Sequence, residues 1–461
     1  MLKKTTITLA LALLCAITVT AQQKQAPPAV GPPRNFAIPE IRRIDLPNGL
    51  KVRLVQYGEV PKVTVRLVTQ TGNVDESANE VWLADLTGSM MEQGTTSRSA
   101  QRIANDVAMM GGALDIAVGV NQTTIGTDVF SESATAAIAL VADVARHPLF
   151  PEADLARIKT DLSRDLSIRR SQPGQLAAEK FSQVLFGNSP YGRLFPAEAA
   201  LQGYTLDQVR AFHARNFGAA RSFLYVVGRF DATAVDSAIH ATLGDWAAGS
   251  PATKPEVTPT ATRALHFIDR PGAVQSTLSI GLPVIDATNA DYLALTVTNA
   301  LLGGSFGSRI TSNIREQKGY TYSPNSAVTA RLGAGAWAEN ADVTTNVTGP
   351  SIKEILGEID RLRNEPPTAQ ELRGIQNYLA GTYVLRNSSR PGIAAQLAFL
   401  DLYGLSESYL RNYVQNVYAL TPADIQRLAK TYIDPAKLAI VVVGDRTKVE
   451  EQLKPYGTIP K

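Results

Sequence analysis

Two kinds of apolar pattern alternate along the chain. Residues 52–55, 63–68 and 124–129 are short runs dense in β-branched side chains, which predicts strands. Residues 134–146 instead carry apolar side chains at helical spacing, and Ile352, Ile355, Leu356 and Ile359 repeat that spacing in the second half. Residues 290–302 (ADYLALTVTNALL) and 152–170 also read as helices. Residues 308–318 (SRITSNIREQK) place Ile310 and Ile314 one turn apart, so they predict an amphipathic helix closed by Gly319. Tyr320-Thr321-Tyr322-Ser323 then alternates as a strand would. Thr368 followed by Glu371 predicts a capping box.

The pattern repeats over a long interval. Thr205-Leu206-Asp207-Gln208-Val209 opens a helix that leads to an apolar run at 223–227 and then Gly228. Thr421-Pro422-Ala423-Asp424-Ile425 leads in the same way to residues 438–443 and Gly444. A period this long indicates two whole domains of like fold, because solenoid repeats are about 20 to 50 residues. The expected boundaries are 40–250 and 262–461, joined by a proline- and threonine-rich linker at 251–261. Strands at the start, helices in the middle and a returning strand predict an α+β class, each domain a mostly antiparallel sheet packed with helices.

Composition narrows the function. The 461 residues are 44% hydrophobic and 19% charged, a globular profile, and the formal net charge of +3 carries no nucleic-acid-sized footprint. Lys3 and Lys4, an apolar run at 7–17 and small residues ending at Ala21 read as a secretory leader over residues 1–21. The run is about half the roughly twenty residues a membrane span needs. Cleavage would remove the lone Cys15 and leave a periplasmic or otherwise exported chain with no membrane span. Residues 22–39 are proline-rich and read as an extended linker. Folding is expected to begin near Ile41.

The chemistry-bearing residues are few. Four histidines, His147, His213, His240 and His266, include no pair at the i, i+4 spacing by which one helix face grips zinc. Gly303-Gly304-Ser305-Phe306-Gly307 matches G-x-S-x-G, but a helix pattern precedes it and no histidine follows it, so a hydrolase elbow fails. The loop also lacks the Lys-Ser/Thr ending of a phosphate cradle.

Residues 301–323 (LLGGSFGSRITSNIREQKGYTYS) resemble the second-domain signature of the pitrilysin/insulinase metallopeptidases. The resemblance implies that Arg315 and Tyr322 reach across a closed chamber to substrate held at a zinc site. Residues 82–95 resemble the helix that normally bears H-x-x-E-H, but the two histidine positions hold Asp85 and Ser89, and the general-base position holds Gly88. The third ligand position falls near Asp165. Serine is a poor zinc ligand and glycine carries no proton, so this chain is expected to hold no metal.

Gly112, Ala113, Leu114 and Asp115 fall in the segment where active relatives bind substrate as an added strand. The likeness spans roughly residues 41–450. It implies half of a clam-like chamber, a partner chain bearing H-x-x-E-H and zinc, a heterodimer, and a peptide substrate. The alternative it leaves open is an inactive peptide-binding or assembly scaffold.

Overall fold

The computed structural model describes residues 37–459. The leader at 1–21 and the proline-rich stretch as far as residue 36 lie outside them. The first strands are β1 (Arg42–Asp45), β2 (Lys51–Gln56) and β3 (Lys62–Thr69), followed by β4 (Asp115–Val118), β5 (Thr123–Phe130) and β6 (Ser222–Gly228). They form one sheet in the order β1-β2-β6-β3-β5-β4, antiparallel except where β2 meets β6. A second sheet takes β7 (Ala264–Asp269), β8 (Gln275–Val284), β9 (Asn325–Arg331), β10 (Ala334–Thr344) and β11 (Ala439–Gly444). Its order is β7-β11-β8-β10-β9, again antiparallel except for the β7–β11 pair.

With β1 set aside, the two orders are the same. The repeat read from residues 205–228 and 421–444 is therefore one of whole sheets. Both repeated helices begin on closed capping boxes. Thr205 N donates to Gln208 Oε1 (2.9 Å), and Thr421 N donates to Asp424 Oδ2 (2.9 Å). Residues 251–261 carry neither helix nor strand.

β6 and β11 are buried along their whole length because both faces of each sheet are covered. One face packs on helices of its own half. The other is covered by a helix from the opposite half. Pro173–Phe186 sets Ala177, Phe181 and Leu185 against Val441 and Val443 of β11. In return, Arg390–Tyr403 sets Ile393, Ala394 and Leu397 against Phe223, Tyr225 and Val227 of β6. Each large side chain so buried contributes about 1.5 to 3 kcal/mol. The exchange also carries charge: Asp401 accepts from Arg53 (2.9 Å) and from the Tyr225 hydroxyl (2.9 Å).

Three local expectations need correction. Residues 320–323 are a loop, tied to the sheet by the single bridge Thr321–Val343, and β9 starts only at Asn325. Pro324 has no N–H to give a ladder, and Tyr320 N is already bonded to Ile314 O (2.8 Å). The helix before it is one short α-turn, Arg309–Thr311, continuing as a wider π-helix, Ser312–Gln317, though Ile310 and Ile314 are both buried as expected. The box at Thr368 is half formed. Thr368 Oγ1 accepts from Glu371 N, but the Glu371 carboxylate turns instead to Arg309 (2.6 and 3.0 Å). A bidentate charged pair outcompetes one backbone N–H.

Candidate functional site

The helix Leu83–Met91 carries the segment that resembles a zinc-binding helix, with Asp85, Gly88 and Ser89 at the ligand and base positions. Its N-cap, Trp82, holds a left-handed backbone (φ 69°), kept there by an indole N–H donated to Leu194 O (3.1 Å) and edge-on packing against Phe195. Asp85 projects from the first turn into a cavity of about 250 Å³ that Asp165, Arg169 and Arg331 also line. Its carboxylate accepts from Asn73 Nδ2 (2.7 Å). Burial raises the Asp85 pKa, and Asn73 and Arg169 oppose that rise. Behind it, Glu76 accepts from Ala84 N (2.9 Å) and Asn73 Nδ2 (3.2 Å). Burial pushes the Glu76 carboxyl up to about 8, against those hydrogen bonds and with the help of the Asp85 charge.

Position 88 is closed. A methyl group built on Gly88 would lie 2.5 Å from Cγ2 of Val118, the last residue of edge strand β4. The space a general base would need is filled by another element. Ser89 is half-buried, and Asp165 is bound to Arg169 (2.8 Å). Among the described residues no group of three or more His, Cys, Asp or Glu side chains is placed to hold a metal ion. The histidines are scattered: His213 is half-buried, donating from Nε2 to Ala145 O (2.9 Å) and stacking on Phe217, while His147 and His240 each lie beside an aspartate one turn earlier. Zinc does not fit these residues.

The second motif is open. The π-helix widens the last turn before Gly319 and carries Arg315 on it, a deviation found frequently at functional sites. Arg315 Nε donates to Tyr322 O (2.8 Å), which fixes the two residues relative to each other. Its guanidinium lies 4.5 Å from the centroid of the Phe306 ring and 5.3 Å from that of Tyr322. Tyr322 is 82% exposed, Phe306 69% and Tyr378 48%. These side chains surround a concavity of about 380 Å³ that shares no residue with the Asp85 cavity. Among the described residues the Tyr322 hydroxyl makes no hydrogen bond, so one phenol donor stands free beside a guanidinium.

The glycine loop now has a physical reason. A methyl on Gly303 would meet Glu339 Oε2 at 2.4 Å, and one on Gly304 would meet Asn299 Nδ2 at 2.3 Å. The loop backbone sits directly on a buried polar layer in which Asn299 Oδ1 accepts from Trp337 Nε1 (2.8 Å) and Ser326 Oγ (2.7 Å). Burial holds the Glu339 carboxyl well above the usual carboxylate range. That close approach aims Phe306 outward under Arg315. Sequence reasoning read the loop as a connection and missed Phe306 and Tyr378. The only signal was an aromatic between glycines.

Of the segment 112–115, only Asp115 lies in a strand. Gly112, Ala113 and Leu114 form the approach to β4, and Asp115 pairs with Arg66 (3.2 Å). β4 ends its sheet, so its outer edge is unpaired by other strands. No helix among the described residues is long and apolar enough to cross a membrane.

Comparison with known proteins agrees with this layout. Residues 51–195 match the sequence model of the insulinase family (peptidase family M16), and residues 203–379 match that of the peptidase M16 inactive domain. An uncharacterized zinc protease of Mycobacterium tuberculosis is 25% identical over 424 residues, covering 90% of this chain and 96% of the relative. One of Rickettsia felis is 24% identical over 341 residues, 74% of this chain and 81% of the relative. A crystal structure of a peptidase M16 inactive domain from Pseudomonas fluorescens superposes with a TM-score of 0.82 at 25% identity, over 88% of this chain and 98% of that one. The fold is shared with a protease from Helicobacter pylori, TM-score 0.83 at 17% identity, over 88% and 100%.

Proposed function

The chain belongs to the peptidase M16 (insulinase) family, and from that membership we propose that it is the zinc-free subunit of an exported two-chain peptidase. In this reading it lends Arg315 and Tyr322 to the zinc site of a partner chain bearing H-x-x-E-H, with peptides as substrates. One asymmetry carries the proposal. Val118 closes position 88, whereas Tyr322 stands exposed with its hydroxyl free and is tied to Arg315, a half-buried residue whose guanidinium also pairs with Glu316.

This chain's part in the chemistry is confined to two donors. A phenol O–H and a guanidinium N–H aimed at one peptide carbonyl stabilise the negative charge that grows on its oxygen as the bond is attacked. The exposed aromatics around them suit a surface that is covered when a partner or substrate arrives.

The test is a cleavage assay of the purified chain, its H-x-x-E-H partner and their mixture on a quenched peptide. The mixture alone is expected to turn over. Replacing Tyr322→Phe in this chain should cut turnover by about two to three orders of magnitude with little change in KM, as loss of one oxyanion donor does. Full turnover by that variant pair would reject the donor role and leave an assembly scaffold as the better description.

A further inference from the structure

Arg331 ends edge strand β9, and its guanidinium has an aromatic neighbour but no ion-pair partner among the described residues, although it also lines the cavity that holds Asp85 and Asp165. Its one close partner is the Tyr191 ring, 5.6 Å from ring centroid to Cζ, and among the described residues it makes no hydrogen bond or ion pair. Burial works against its charge. A half-buried guanidinium whose five N–H donors meet no protein acceptor is free to take one from a ligand.

Arg331 lines an open cavity of about 510 Å³ between the ends of β4 and β9, the free edge strands of the two sheets. The Tyr292 and Tyr403 hydroxyls face the same cavity without a hydrogen bond among the described residues, and the buried amide nitrogen of Gln122 beside it has no partner. Asp286, whose charge reaches Tyr191, Tyr292 and Tyr403, is already engaged by the Gly333 N–H (3.0 Å) and by Thr288. Asn121 and Thr124 add polar groups to the walls, and Val118 from β4 and Phe399 and Leu402 from the exchanged helix Arg390–Tyr403 add apolar ones.

We propose that this cavity is a carboxylate-binding site, in which Arg331 grips a peptide carboxylate while Tyr292 and Tyr403 donate to its remaining lone pairs. A single guanidinium flanked by neutral donors suits a planar, singly charged anion, which its fork meets with two parallel N–H bonds. The apolar walls suit a hydrophobic residue beside that carboxylate. The two flanking strand edges suit an extended chain leading to it. The site rests on the peptide-binding part of the proposed function and not on the Arg315–Tyr322 pair.

The carboxylate belongs either to a peptide C-terminus or to an acidic side chain, and three fluorescent peptides separate these sources. One is a short alanine- and serine-rich peptide ending in phenylalanine as the free acid. The second is its C-terminal amide, and the third is that amide with an internal glutamate. Anisotropy titration of the full chain without a partner is expected to show the free acid binding about ten- to a hundredfold more tightly than the amide, the margin of a charged hydrogen-bonded pair. Recovery of affinity by the glutamate-bearing amide would assign the site to side chains instead.

Arg331→Gln should erase the preference for a carboxylate, Arg331→Lys should keep part of it, and Tyr403→Phe should weaken it less. Arg315→Ala should leave it unchanged, which separates this site from the donor pair. Equal binding of all three peptides by the parent protein, no binding of any at millimolar concentration, or a folded Arg331→Gln protein that keeps the preference would overturn the proposal. The parent comparison needs no variant to fold.

Discussion

At the scale of single residues, the degenerate helix shows how a lost metal site is made stable. Glu76 and Asp85 are two buried acids sharing Asn73, and burial pushes the Glu76 pKa from the ordinary 4.5 up to about 8. The sign follows from proton counts. Between those values the folded chain keeps a proton that the unfolded chain releases, so this group's contribution to stability is full below pH 4.5 and is lost as pH rises towards 8. A shift of that size is worth on the order of 5 kcal/mol at most. Glu76→Gln keeps the acceptor for Ala84 N–H and cannot ionise. Urea unfolding at pH 5 and pH 8 should show the parent losing stability relative to the variant across that interval; parallel profiles would contradict the account. The loss of H-x-x-E-H was legible in the sequence at Asp85, Gly88 and Ser89. The Glu76–Asn73–Asp85 cluster was not, because nothing in residue spacing tells that a loop before the helix folds back under it.

At the scale of elements, the contact between β4 and the helix Leu83–Met91 is what closes position 88. Gly88 in a helix costs about 0.5 to 1 kcal/mol relative to alanine, and here the gap is used by Val118. Gly88→Ala is expected to destabilise by about 1 kcal/mol net, since overpacking of about 1 to 3 kcal/mol exceeds the propensity gain. In a Val118→Ala background the same change should stabilise by about 0.5 to 1 kcal/mol. Chemical denaturation of the four proteins measures this, and a reversal absent from the cycle would show that Val118 is not what closes the position. Residues 112–115 were expected along a sheet edge where substrate adds as a strand, and β4 takes only the last of them. The structure starts it at Asp115 because Gly112 is pressed against the Asp128 carbonyl, where a methyl would lie 2.6 Å away.

At the scale of the molecule, each sheet depends on a helix from the other half. Phe223, Tyr225 and Val227 are covered by Arg390–Tyr403, and Val441 and Val443 by Pro173–Phe186. A fragment of residues 37–261 would therefore expose an apolar sheet face and leave Arg53, 8% exposed in the whole chain, without Asp401. Residues 37–261 and 262–459 expressed separately are expected to be insoluble or to lack a cooperative thermal transition, and to regain one when co-expressed. Two fragments that each unfold cooperatively alone would show that the exchange contributes little. The same arrangement brings the free edges of β4 and β9 to one cavity, which is how Val118 and Arg331 come to share a wall.

The sequence by itself determined the kinds of element and their repeat, because periodicity, capping residues and β-branched runs act over a few neighbouring positions. It also determined that the H-x-x-E-H residues are missing, since that is a matter of residue type. Tertiary structure alone decided that helices cross between sheets, that Val118 packs against Gly88, that Phe306 lies beside Arg315, and that Arg331 is left without an ion pair among the described residues. Asp401 and Arg53 are 348 positions apart, and no local pattern encodes such a contact; it exists only once two sheets have packed against each other's helices.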